Sequence, residues 1–191
     1  EPGLLQAVRE RADRCGAVLI FDEVTSGFRM NTGGIHMTMG VEPDLAVFAK
    51  GMSNGYPMGA VIGRTAVMQA AQTSFISSTY WTEAIGPAAT LAAIRKHRDL
   101  DVASHLIRIG TRIQAGWTDA ARAAGLTIHV GGIPPLSGFA FDGPRANALA
   151  TLFNQEMLDR GYLASTLVYT MLTHTDELVD GYLEAVATVF D

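Results

Sequence analysis

The 191-residue chain carries 14 basic and 19 acidic side chains, a formal charge of -5, with 48% hydrophobic and 17% charged residues. That balance excludes a disordered segment, and the scattered Arg and Lys form no basic stripe for nucleic acid. A single cysteine excludes a disulfide framework and a paired-cysteine metal site, and no apolar run reaches the roughly 18 residues of a membrane helix.

The length admits one large domain or two small ones. At the start, Leu4, Leu5, Val8 and Ala12 recur at helical spacing up to Cys15-Gly16, where glycine stops the helix. Cys15 is expected to pack as a small residue at that helix end. The segment has both charge signs and no signal-peptide-like apolar stretch, so a cytoplasmic protein is expected. With no leading Met and a helical pattern from its first residues, the chain reads as a piece of something longer.

Ala17 to Phe21 reads as a buried strand that ends in Asp22-Glu23. Helix followed by strand is the order of a parallel α/β sheet. A Gly-rich loop leads through Glu42-Pro43-Asp44 into a second strand, LAVFAK, ending at Lys50. GMSNGYP is dense in turn formers; MGAVIGR follows as a third strand and Thr65 to Gln72 as a helix.

Glu83 to His97 reads as a helix, and Asp101 is placed to cap the next one, whose apolar face carries Val102, Leu106, Ile109 and Ile113. Beyond Gly125 the pattern becomes that of a compact α+β unit: strands in LTIHVGG and SGFAFDG, a helix over Arg145–Arg160, a strand in YLASTLVYTML and a final helix over Asp176–Phe190. The domain division is therefore placed at residues 1–100 and 101–191, within the long helical region.

Ligands of open α/β sheets bind beyond the carboxyl ends of the strands. Asp22-Glu23, Lys50 and the loop SSTYWTE lie at such positions. A strand ending in Asp-Glu also occurs in P-loop nucleotide hydrolases, where the Asp holds magnesium. That reading needs GxxxxGK[ST], which the chain lacks, so it survives only with a motif upstream.

The ordered set VLIFDEVTSGFR, GVEPDLAVFAKGMSNGYPMGAVIG and SSTYWTEAIGPAA, continuing to RGYLAST and HTDE, resembles the class III aminotransferases of pyridoxal 5′-phosphate (PLP) fold type I. Within them it looks most like the glutamate-1-semialdehyde 2,1-aminomutase group. The resemblance spans the whole chain and corresponds to the C-terminal half of such an enzyme. It implies an α/β fold: the end of a large, mostly parallel-sheet PLP domain followed by a small C-terminal α+β domain.

The resemblance also implies roles. Asp22 would face the pyridine nitrogen of PLP and keep it protonated. Lys50 would form the Schiff base and shuttle protons, with burial expected to free its lone pair. Val24 would pack on a ring face, and Thr79 would donate its hydroxyl to the phosphate from the neighbouring subunit of a homodimer. The partner would be a small-molecule amine or amino acid, with no nucleic acid and no membrane.

Thr25, where many relatives carry Gln, and Tyr80-Trp81-Thr82-Glu83 after Thr79 depart from the family pattern. Glu23 has a polar role near the substrate side in some relatives. Arg29 is of the right type to bind a carboxylate in two-pronged fashion. His129, His174 and Trp117 read as ordinary structural residues, and no metal-ligand spacing links the histidines. Amino-group transfer, by transaminase or aminomutase, is the expected function; a non-catalytic truncated half of such an enzyme is the alternative.

Overall fold

The computed structural model describes residues 3–80 and 82–191. It divides into two compact units, the first running to Ala103 and the second Ser104–Asp191.

In the first unit, helix α1 (Leu4–Cys15) ends at Gly16 in the left-handed region (φ 63). The turn is closed by the Ala17 N–H donating to Ala12 O at 2.9 Å, a conformation glycine adopts without steric cost. Cys15 stands at this helix end but is exposed rather than packed, because α1 buries no residue.

Strand β1 (Ile20–Asp22) pairs in parallel with β2 (Leu45–Phe48), with Asp22 opposite Val47. Strand β3 (Ala60–Gly63) runs antiparallel to β2, giving the order β1-β2-β3. A single side chain ties the entrances of this sheet. Asp44 is buried, and its carboxylate accepts from the Leu19 N–H, Arg9 and Arg64, each at 2.8 Å. The Leu19 amide, then Arg64 and Arg9, hold its carboxyl well below the usual carboxylate range.

The predicted helix over Thr65–Gln72 is α-helical only over α2 (Thr65–Met68) and continues as a tighter 3₁₀ turn to Thr73. Helix α3 (Ile85–Asp99) starts where the Glu83 carboxylate accepts from the Ile85 and Gly86 N–H groups. The apolar cluster of this unit is small: Phe28, Ala46, Phe48 and Met52, with Met58, Ala60 and Ile94 against it.

The second unit follows the expected α+β order. Most of helix α4 (Val102–Ala123) belongs to it, followed by β4 (Ile128–Ile133), β5 (Leu136–Phe141), α5 (Ala146–Asp159), β6 (Leu167–Tyr169) and α6 (Asp176–Phe190). All pairings in the sheet β4-β5-β6 are antiparallel. Ile109, Ile113, Trp117 and Ala121 recur every fourth residue on α4 and face one core with Phe139, Phe141, Phe153, Met157, Val186 and Phe190. The ring of Phe139 meets Trp117 at 5.0 Å, Phe153 at 5.2 Å and Phe190 at 5.7 Å, all edge to face, the favoured aromatic geometry.

Only Leu167–Tyr169 of the expected strand YLASTLVYTML is paired. At its end Thr170 turns fully inward, its N–H donating to Pro135 O at 3.0 Å and its hydroxyl to Leu106 O at 3.2 Å. Thr175 caps α6 by accepting the Leu178 N–H, and Asp176 and Glu177 fill the first turn. The HTDE segment thus has a local structural explanation as a helix start.

Candidate active site

Because β1 and β2 are parallel neighbours, their carboxyl ends open on the same side. Asp22 is the last residue of β1, and Lys50 lies two residues beyond the end of β2. Both are exposed. One Asp22 oxygen accepts the Val24 N–H at 2.9 Å, which fixes the turn that carries half-buried Val24.

Lys50 Nζ donates to Thr25 Oγ1 at 2.5 Å. The structure thus gathers Asp22, Val24, Thr25 and Lys50 around one turn. Burial around Lys50 was the expectation from sequence; the amine is instead solvent-accessible and is oriented by the Thr25 hydroxyl. Its backbone has φ 46, a left-handed conformation that costs a non-glycine residue about 1–3 kcal/mol and persists only where surrounding packing imposes it.

That packing comes from the loop after β1. An added Cβ on Gly27 would meet Phe48 Cδ1 and Glu23 O at 2.8 Å, and one on Gly51 would lie 3.5 Å from Gly27 O and 3.6 Å from Phe28 Cβ. These glycines let the loop lie against the backbone next to Lys50. The Phe28 and Phe48 rings pack at 5.8 Å, tilted by 60°.

Glu23 does not face the strand-end crevice. It is buried (1% exposed), and its carboxylate accepts from the Ile35 and His36 N–H groups at 3.0 Å, from His36 Nδ1 at 2.8 Å and from the Ser26 hydroxyl. Burial, the largest single influence, pushes this carboxyl up; the Ser26, His36 and Ile35 donors together outweigh it and hold it below its ordinary value. A buried carboxylate with this many donors is satisfied, and its work is to fold the loop.

Thr79 lies on an exposed turn ahead of α3, where the Ser78 hydroxyl accepts the Tyr80 N–H at 3.3 Å. It is not among the residues gathered at the Asp22 turn. Trp81, part of the departure from the family pattern, lies outside the described residues. Among those described, no group of His, Cys, Asp and Glu has the arrangement of a metal site, and no helix is long and apolar enough to cross a membrane.

Sequence reasoning missed Asp44 as the knot of the sheet entrance, the inward turn of Glu23 and the placement of His97. Asp44 carries a signal, since it sits inside the Pro-Asp pattern, but that pattern marks only the start of the strand.

The class-III aminotransferase family model matches residues 1–189. Among curated proteins, the 2'-deamino-2'-hydroxyneamine transaminase of Streptomyces kanamyceticus is 31% identical over 185 residues, covering 94% of this chain and 47% of that protein. The 3-aminobutyryl-CoA aminotransferase of Cloacimonas acidaminovorans is 32% identical, covering 97% of this chain and 46% of that protein. The chain thus spans about half the length of the curated relatives it matches.

Among solved structures, the PLP internal aldimine form of the FumI protein of Sphingopyxis sp. MTA144 superposes with a TM-score of 0.92 at 26% identity, over 97% of this chain and 45% of that one. An omega-transaminase from Sphaerobacter thermophilus superposes with a TM-score of 0.88 at 26% identity, over 100% of this chain and 48% of that one. Joined strand ends, motif order and likeness along the whole chain lead to one assignment: this chain belongs to the class-III aminotransferases.

Proposed function

We propose that the protein carrying this chain transfers amino groups with pyridoxal 5′-phosphate, acting on a small-molecule amine or amino acid. The observation that carries the reading is the placement of Asp22 and Lys50 at the carboxyl ends of adjacent parallel strands, with Thr25 orienting the amine. The residues present fit the cofactor: an accessible carboxylate and an accessible amine flank one turn, and Val24 is half-buried between them in sequence. When bound, PLP supplies an electron sink for a substrate carbanion.

The chain's own residues have distinct tasks in this proposal. Asp22 would hold a positive charge at the pyridine nitrogen, and Val24 would back the ring. Lys50 would hold the cofactor through its amine, and the same Nζ, when free, would carry a proton to and from the substrate carbon. Thr25 accepts a hydrogen bond from Nζ and limits its wandering. Thr79 donates to the phosphate from the neighbouring subunit of a homodimer. Residues 1–100 belong to the large cofactor domain and 101–191 to the small one, in a cytoplasmic enzyme.

Both transfer between molecules and an aminomutase shift within one molecule fit this site chemistry. The transaminase names of the two curated relatives favour transfer between molecules. The test is reductive trapping in the protein that carries this chain. Borohydride with PLP is expected to fix the cofactor on Lys50, located by peptide mass spectrometry, and to fix none in this chain after Lys50→Ala. Trapping on Lys96, the chain's other lysine, overturns the assignment.

A further inference from the structure

His97 lies near the end of α3, far along the sequence from the strand ends, yet both its ring nitrogens are engaged by the loop after β1. Nε2 lies 3.0 Å from Phe28 O, and Nδ1 lies 2.8 Å from Thr32 Oγ1. A carbonyl only accepts, so Nε2 carries the hydrogen, and in the neutral ring Nδ1 accepts from the Thr32 hydroxyl. The ring also meets Phe28 edge-on at 6.0 Å.

Phe28 itself has φ 60, and its N–H donates to Gly33 O at 2.8 Å. A bulky side chain in that backbone region needs external support. His97 supplies it from one side and Phe48 from the other, the Phe28 and Phe48 rings lying 5.8 Å apart. Gly51, next to Lys50, lies against Phe28 and Gly27. A continuous contact path therefore runs from His97 through Phe28 to Gly51, which follows Lys50, and to Phe48, two residues before it.

We propose that His97 is a positioning residue that sets the backbone of Lys50 through Phe28 and Gly51, without touching cofactor or substrate. Its importance for catalysis rests on the reading of Lys50 as the cofactor-bearing amine; the mechanical link does not.

The clamp has a pH sign. Burial, the largest influence, and nearby Arg29 oppose protonation of the ring, while the Phe28 carbonyl and Asp101 favour it; the net is a value below the ordinary 6.5. A depressed folded-state value means the neutral ring is favoured by folding. The clamp is at full strength above about pH 6.5 and weakens as pH falls through the lower folded value.

The test uses the protein that carries this chain, as wild type, His97→Gln and His97→Phe. Two readouts need no turnover: hydrogen-exchange protection of the Phe28–Gly33 segment, and the rate at which an N-hydroxysuccinimide ester acylates Lys50 in cofactor-free protein. His97→Phe is expected to lower protection about tenfold or more, since it leaves a half-buried carbonyl without its donor, and to change the acylation rate of Lys50 several-fold. Gln, which both donates and accepts, is expected to restore both readouts.

Wild-type protection normalised for intrinsic exchange is expected to fall on going from neutral pH to about pH 5, and that of His97→Gln to stay flat. That wild-type profile needs no variant, so a His97→Phe protein that does not fold leaves the test intact. A Lys50 acylation rate identical in all three proteins overturns the proposal, even if loop exchange changes, because the clamp is then only structural. A wild type that acylates as predicted but traps no PLP on Lys50 overturns the proposed function and leaves the positioning link standing.

Discussion

The two units keep their shape by different means. The second is organised around a continuous apolar core in which four phenylalanines and Trp117 meet edge to face. The first has a four-residue cluster and relies on buried or half-buried polar groups that each gather several partners: Asp44 at the sheet entrance, Glu23 inside the loop and His97 on α3. Apolar packing is non-directional, whereas hydrogen bonds fix angles and registers. The unit that carries the proposed amine and carboxylate is the one built from directional contacts, and its buried carboxylates make it sensitive to acid.

The largest effect expected from breaking this contrast is on the aromatic core. Phe139→Ala removes the ring at the centre of the cluster and should cost the second unit about 3–5 kcal/mol. Denaturant unfolding followed by segment-resolved exchange should place that loss in α4–α6 and leave protection around Asp22 and Lys50 unchanged. A uniform loss over both units would mean that the contrast drawn here does not extend to stability.

Next comes the site itself. Asp22→Asn keeps the turn acceptor for Val24 but removes the charge, and turnover should fall by about a hundredfold or more while the melting temperature changes little. Turnover close to wild type would remove Asp22 from the proposed role.

Glu23→Gln turns one carboxylate oxygen into an NH₂ group facing N–H donors. The first unit should lose about 2 kcal/mol, read as faster exchange at Ile35 and His36. The wild type should show the same weakness in acid. Glu23 has a depressed folded-state value, so its contribution is complete above its ordinary 4.5 and is lost as pH falls below it; Asp44 follows below its ordinary 3.8. The second unit also has a carboxylate held low, Asp176 beside Arg108 and Arg112, but Asp176 and Arg108 are exposed. Salt should therefore weaken the Asp176 contribution and leave that of buried Glu23 nearly intact. Acid unfolding measured at low and high ionic strength separates the two.

The smallest effect expected is at Thr79. If Thr79 donates to the phosphate as proposed, Thr79→Ala should weaken PLP retention by about 1–3 kcal/mol, measured by cofactor release on dilution. If retention is unchanged, the exposed turn before α3 plays no part in holding the cofactor.

What was legible in the sequence divides along the same line. The presence of strands in VLIFDE and LAVFAK, the helix stop at Gly16 and the core face of α4 follow from local periodicity and turn chemistry, which act over a few residues; the burial expected over Ala17–Phe21 does not, since the strand is only Ile20–Asp22 and Val18 and Ile20 are exposed. The acid and the lysine at neighbouring strand ends were readable because a parallel sheet sends successive carboxyl ends to one side. The polar knots were not. His97 meets Phe28 across 69 positions and Asp44 meets Leu19 across 25, and no spacing rule reaches that far. The placement of Glu23 was not readable because it lies just past the end of β1, where the Ile35, His36 and Ser26 donors of the loop, not strand alternation, decide its direction. The YLASTLVYTML strand was overextended because its β propensity continues past Tyr169, while the inward hydrogen bonds of Thr170 end the pairing.

The Trp117 Nε1–H donates to the Tyr182 hydroxyl at 2.8 Å inside the second core, and burial pushes that phenol up to about 12. This pair is a built-in optical reporter. In a Trp81→Phe background, Trp117 is the chain's remaining indole, and it has no exposed surface. Its emission should be blue-shifted and shielded from iodide until the second unit opens.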